Sequence, residues 1–147
     1  MRCFPANPPT DEQEGGSAVV EFVFLGLVLL VPVIYFVLTV GRLQAGSFAV
    51  VGAADQAAKI YVAEESVPAA TSRAHQAAIL VLRDFGFDAS EAEIEVTCNG
   101  ECLAPGSGAT VDVRLGISLP FMPPGQSVDD SVVVVDSSAT QLVERFR

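Results

Sequence analysis

Cys98 and Cys102, in the stretch "CNGEC", place two thiols close together in the chain. Zinc takes about four ligands, and a second pair is missing. A redox dithiol usually reads C-x-x-C, with one residue fewer between its cysteines than here. A structural disulfide is the expected chemistry, on condition that this part of the chain lies outside the cytoplasm. In an extended strand the two Cα atoms would be ~13 Å apart, against the ~4.4–6.8 Å that a disulfide allows. The chain must therefore turn between them, and Asn99-Gly100 can supply that turn in a short loop that sets the cysteines opposite each other.

The other reactive side chains form no catalytic set. His75 is the only histidine and sits beside an apolar helical stripe, a surface or boundary position. Glu91, Glu93 and Glu95 alternate along a strand; three carboxylates can hold calcium, but an even row is the ordinary solvated side. Ser17 and Ser66 have no base to activate them, and there is no phosphate loop, nucleophile elbow or helical metal pair. The expectation is a protein that is not an enzyme, with no cofactor and no metal.

One acid is out of place. Between Glu14 and Arg42 the only charge is Glu21, at the head of an otherwise apolar run. An isolated acid at mid-membrane costs on the order of 2.5–3.5 kcal/mol even on lenient insertion scales. Glu21 is either an edge carboxylate reaching headgroup water or a group with a task.

The elements that position these residues follow from pattern. Residues 1–16, "MRCFPANPPTDEQEGG", carry three prolines and no apolar periodicity, which reads as a disordered leader. From Phe22 to Val40 run 19 uncharged, mostly large apolar residues; at ~1.5 Å each they span about 28 Å, close to the ~30 Å hydrocarbon core. A transmembrane helix over 17–41 is expected, with Pro32 as a kink. A buried core helix and a secretory signal peptide are the rivals, but the run is long for either. Arg2 before the run and Arg42 and Lys59 after it leave orientation open. The net charge of −10 repels phosphate backbones, so no nucleic-acid partner is expected, and no basic cluster follows the run to bind anionic lipid heads.

Beyond Arg42 a helix continues over about 42–63. Gly41, Ala45, Ala49, Ala53 and Ala57 recur every four residues as a small-residue ridge, suited to another helix's close approach or to the domain's own sheet. A second helix over about 68–85 starts near Ser66 and Pro68, stops at Gly86, and carries the apolar stripe Ala74, Ala78, Val81, Leu82 and Phe85. Period-two alternation marks strands over about 93–98 and 110–119, with a third over about 131–144 that blurs past Asp136. The fold class expected is α+β: a long N-terminal transmembrane helix continuing into a small head, 42–147, with a second helix and an antiparallel sheet of about three strands.

The stretch "GGSAVVEF" followed by an apolar run resembles the processing site of type IV prepilins. It is most similar to TadE-like minor pilins of the tight-adherence (Tad/Flp) system. The likeness is strongest over 15–63, including the Gly41-Arg42 pair and "AADQAAKIYV"; it is looser beyond, in "CNGEC", "SLPFMP" and "VERFR", which resemble actinobacterial members. In that family a membrane peptidase cuts after a glycine and leaves glutamate as the fifth residue. The resemblance thus implies a cut between Gly16 and Ser17, with Glu21 fifth. Glu14 and Gly15 stand where the family usually has a basic residue, and Pro32 lies later than the family's proline.

Further implications follow from the likeness. The cut would remove Cys3, leaving an even pair of cysteines, and would take Asp11, Glu12, Glu14 and Arg2, so that net charge moves from −10 to −8. The N-terminus would be cytoplasmic and the head extracytoplasmic, in a single-pass cell-membrane protein that can enter a pilus. The implied partners are other pilins, a prepilin peptidase and the pilus assembly machinery of the membrane. The alternative is an uncleaved, signal-anchored binding module.

Overall fold

The structure, a computed structural model, describes residues 14–120 and 133–144. Its elements are α1 (Glu14–Ala63), α2 (Val67–Asp84), a single 3-10 turn (Ala89–Glu91), β1 (Ala92–Asn99), β2 (Gly108–Ile117) and β3 (Val133–Leu142). The α+β class expected from the sequence is the one found. The chain divides into two compact units, Met1–Val37 and Leu38–Arg147.

In the first unit, residues 17–34 are all exposed, Phe22 by 76%. Ser17 and Glu21 apart, side chains are apolar all round the helix here, so no single stripe is reserved for a core. This stretch is long and apolar enough to cross a membrane. The span expected over 17–41 continues into the helix expected over about 42–63 as one element, with helix assigned throughout, Pro32 included. Residues 14–16, expected in a disordered leader, are helical; residues 1–13, Cys3 among them, lie outside the described residues.

The second unit is built on close backbone approach. Ala49, Ala53, Ala54, Ala57 and Ala58 of α1 are fully buried, with Val50 and Tyr61 on the same face. Gly46 extends that face by one turn. A Cβ built there would overlap the Ile117 Cδ1 and lie 3.4 Å from the Phe87 ring. Against α1 packs α2 through Ala70, Ala74, Ala78 and Leu82. Of the stripe expected on α2, Val81 is partly buried and Phe85 instead faces solvent. The reason is the helix end. Gly86 (φ +82°) turns left-handed, its N–H donating to the Arg83 carbonyl and that of Phe87 to the Leu82 carbonyl. This is a Schellman stop. It carries Phe87, two residues later, into the core in place of Phe85.

The sheet is an antiparallel meander, β1-β2-β3. On its inner face lie rows such as Ala92–Leu115–Val135 and Val96–Val111–Ala139. On its outer face lie Glu93–Arg114–Asp136, Glu95–Asp112–Ser138 and Thr97–Thr110–Thr140. Arg114 donates to Glu93 at 3.3 Å, and the Thr110 and Thr140 hydroxyls are 2.7 Å apart. β2 stops two residues short of the expected Leu119, whereas β3 keeps its alternation to Leu142. The first two residues of the expected third strand, 131 and 132, lie outside the described residues.

Replacing Gly46 by Val forces a branched side chain into the Ile117–Phe87 contact. It is expected to lower head stability by about 1–3 kcal/mol. Gly41, whose Cβ would meet nothing within 4 Å, is the control: Gly41→Ala should be neutral or stabilising by up to about 1 kcal/mol. Chemical denaturation in detergent, followed by circular dichroism, compares them. Equal midpoints for the two variants would show that the close approach at Gly46 is not limiting.

Candidate functional site

Three groups of residues were singled out by the sequence, and the structure treats them differently. Gly16 and Ser17 lie in the first turn of α1, where the leading N–H groups have no helical partner. Ser17 and Glu21 are four residues apart in one helix and both exposed. That spacing puts them on the same face, one turn apart. A chain beginning at Ser17 would carry its α-amino group at the helix end beside that carboxylate.

The small-residue ridge divides. Ala49, Ala53 and Ala57 are fully buried in the head's own core, and Ala45 packs against it partly buried. They serve the sheet and α2, the second of the two uses the spacing allowed. Gly41 alone of the five is exposed and open. Sequence reasoning missed Gly46, Ala54, Ala58 and Tyr61, which complete the buried face. The signal was present in the doubled small pairs Ala53-Ala54 and Ala57-Ala58. Such pairs mark a face as wide as two neighbouring positions, not a single four-residue row.

Cys98 and Cys102 are joined in a disulfide, with Cα atoms 5.4 Å apart. Cys98 ends the inward row of β1, and Gly100 (φ +98°) makes the turn just beyond the strand. The expected hairpin between the cysteines is not what forms. Cys98 pairs across the ladder with Ala109, and the disulfide closes a side loop within the β1–β2 connection. The connection is longer than the ring because Leu103 (φ 65°) and Gly106 (φ +84°) bend it back again.

That connection has a second task. Gly106 donates to the Val143 carbonyl at 3.0 Å, and Val143 donates to the Ser107 carbonyl at 2.9 Å. The buried Val143 is thereby tied to the disulfide loop. From below, the Tyr61 hydroxyl lies 3.8 Å from the Cys98 sulfur, the polar contact a buried tyrosine needs.

The remaining candidates are dispersed. His75 is exposed on α2. Glu93 and Glu95 line the outer face of β1 as expected, but Glu91 belongs to the 3-10 turn and accepts from the Asp88 N–H at 2.9 Å. Among the described residues no cluster of His, Cys, Asp and Glu is placed to hold a metal ion. A groove of about 450 Å³ between α1 and α2 is lined by Ile60, Ala77 and Leu80 with the Arg73–Glu64 ion pair at its rim. It brings no nucleophile to a base. What the residues are arranged to do is pack, cross-link and, at Glu21, place a carboxylate on an apolar helix.

Comparisons with protein-family models, curated proteins and solved structures each found no match.

Replacing both cysteines by alanine should cost roughly 2 kcal/mol, the chain-entropy value for so short a ring. Because the ring adjoins the Val143 hydrogen bonds, faster amide exchange at Val143 should accompany the loss. Peptide mass mapping after alkylation without reduction gives the pairing; alkylation of both Cys98 and Cys102 in the purified protein would refute it.

Proposed function

We propose that this chain is a TadE-like minor pilin, a structural subunit of a Tad/Flp-type pilus or of the related machine that assembles it. One coincidence carries the reading. The "GGSAVVEF" stretch opens a helix whose next turns are exposed and apolar on every side, and the same chain ends in a small α+β head. Support comes also from the chemistry that is present, which is that of a packed and cross-linked module.

In this reading the helix holds the subunit in the membrane until assembly machinery extracts it, with the head outside. Cleavage after Gly16 makes Ser17 the N-terminus. Its α-amino group, with a pKa near ~7.7–8.0 in water, can carry a positive charge in the apolar layer. Glu21 first neutralises its own amine one turn away, then takes the amine of a neighbouring pilin. A buried pair costs much less than either charge alone, and a misregistered neighbour leaves both unpaired at several kcal/mol. Glu21 is thus a register device, which answers why an acid stands at the head of the run.

A second reading rests on Glu14 and Gly15, which stand where prepilins usually carry a basic residue before the cut. It is an uncleaved, signal-anchored module whose head binds a wall or extracellular ligand.

N-terminal sequencing of the membrane-extracted protein separates the two. The pilin reading expects Ser17 first, and Gly16→Leu should keep the precursor whole; retention of residues 1–16 by the wild type favours the anchored module. For Glu21, the Glu21→Gln variant should insert and be cleaved normally yet lose co-purification with other pilins or piliation. Wild-type assembly by that variant would reduce Glu21 to a tolerated edge carboxylate.

A further inference from the structure

Asn99 and Gly100 stand side by side inside the ring that Cys98 and Cys102 close. An asparagine followed by glycine carries its own electrophile and nucleophile: the side-chain Cγ of the one and the main-chain nitrogen of the other. Glycine matters because it has no Cβ to shield that nitrogen. The sequence holds one other asparagine, Asn7, and Pro8 after it has no N–H to give up. Asn99 is therefore the one asparagine of the chain equipped for this chemistry.

The pair is accessible. Asn99 and Gly100 are both exposed, and a Cβ built on Gly100 would meet nothing within 4 Å, so there is room for a small ring to close. Gly100, at φ +98°, has already left the strand. Two restraints oppose closure. Asn99 is the last residue of β1, opposite Gly108, and extended backbone holds the next nitrogen away from the side-chain carbon. The disulfide also ties down the residue before the pair and the second residue after it. The end of a ladder opens at little cost, so closure starts from a chain in which this last pair has frayed.

We propose that Asn99 is a self-modification site, converted to isoaspartate through a cyclic imide shared with Gly100, at a pace that the Cys98–Cys102 ring restrains. Hydroxide takes the Gly100 N–H proton, and the nitrogen bonds to Asn99 Cγ. The Cγ–Nδ2 bond breaks, and ammonia leaves with a proton drawn from water. Water then opens the imide. Addition at Cγ gives aspartate, whereas addition at the main-chain carbonyl carbon breaks its bond to Gly100 and routes the backbone through Cγ, giving isoaspartate. In sum, an amide and a water become an acid and ammonia, with nothing oxidised or reduced. The product adds a carboxylate close to Glu101 and, as isoaspartate, lengthens the backbone inside the ring. Its strand partner Gly108 directly follows Gly106 and Ser107, whose main-chain groups hold Val143, so the change reaches the junction at the end of β3.

Trypsin releases residues 84–114 as one peptide that contains Asn99 and both cysteines. Full-length protein in mild detergent would be aged at neutral and at mildly alkaline pH, with the disulfide closed or reduced, beside the free reduced 84–114 peptide. Mass and electron-transfer fragmentation then read residue 99. The expected result is the amide-to-acid mass increment at Asn99, with isoaspartate exceeding aspartate and a rate that climbs with hydroxide. It should be absent from Asn99→Gln, whose longer side chain needs a larger ring. The closed protein should convert several-fold more slowly than the free peptide, and reduction should recover most of that difference. Native protein that stays unmodified while the free peptide converts overturns the proposal, and so does aspartate formed without isoaspartate. Equal rates with the disulfide closed and reduced overturn the restraint assigned to the ring.

Discussion

Glycine and alanine along one face of α1 set how near the helix backbone comes to the sheet, and the rest of the head is arranged around that distance. At Gly46 an added methyl group would overlap the end of the Ile117 side chain, which would have to turn aside. At positions 49, 53, 54, 57 and 58 the side chain is a single methyl, and each is fully buried. Dense packing of this kind gains dispersion contacts and tolerates little change of volume on either side. The sheet answers with branched residues, Val111, Val113 and Ile117, whose stiff side chains fill the shallow surface that alanines leave. Larger residues also enter the contact: Leu115 of the central strand, Tyr61 near the disulfide, and Leu82 and Phe87 at the end of α2.

Most of the fold was legible because each element carries its own local signal. Alternation in 110–119 and 93–98 gave the strands, since a one-residue shift would turn their whole apolar set to water. Gly86 gave the end of α2 because only a left-handed residue permits that turn. What the sequence did not reveal was set by neighbours. Phe85 and Phe87 are both large and apolar, and the Schellman turn alone decides which is buried. Glu91 has the spacing of its strand partners, yet a local capping bond holds it in the 3-10 turn. The ridge at 45, 49, 53 and 57 was correctly spaced, but whether a helix or a sheet covers it is a tertiary fact. The disulfide pairing was legible, its loop less so, because Leu103 takes a backbone conformation that leucine rarely adopts.

Side-chain size divides α1 into two vocabularies. Before Gly41 it is written in Val, Leu, Ile and Phe, suited to contact with lipid tails; after Arg42 alanine and glycine dominate the buried face. The change falls where the chain acquires its first charge since Glu21. Within the head, the disulfide loop holds the turn beyond β1, Tyr61 of α1 and the buried Val143 at one junction.

The order of elements along the chain carries a consequence for how the protein is made. α1 is synthesised first, yet the sheet that covers its alanine face is separated from it by dozens of residues and emerges last. Emerging chains form local structure first, and long-range contacts wait for their partners. During that interval the α1 surface awaiting cover consists largely of methyl groups, which expose far less apolar area than leucines would. A nascent chain is then left with a modest sticky face, while the three strands, neighbours in sequence, assemble as a meander by short steps. An alanine face is in this sense a safeguard of biogenesis, limiting misassociation until the last strand arrives.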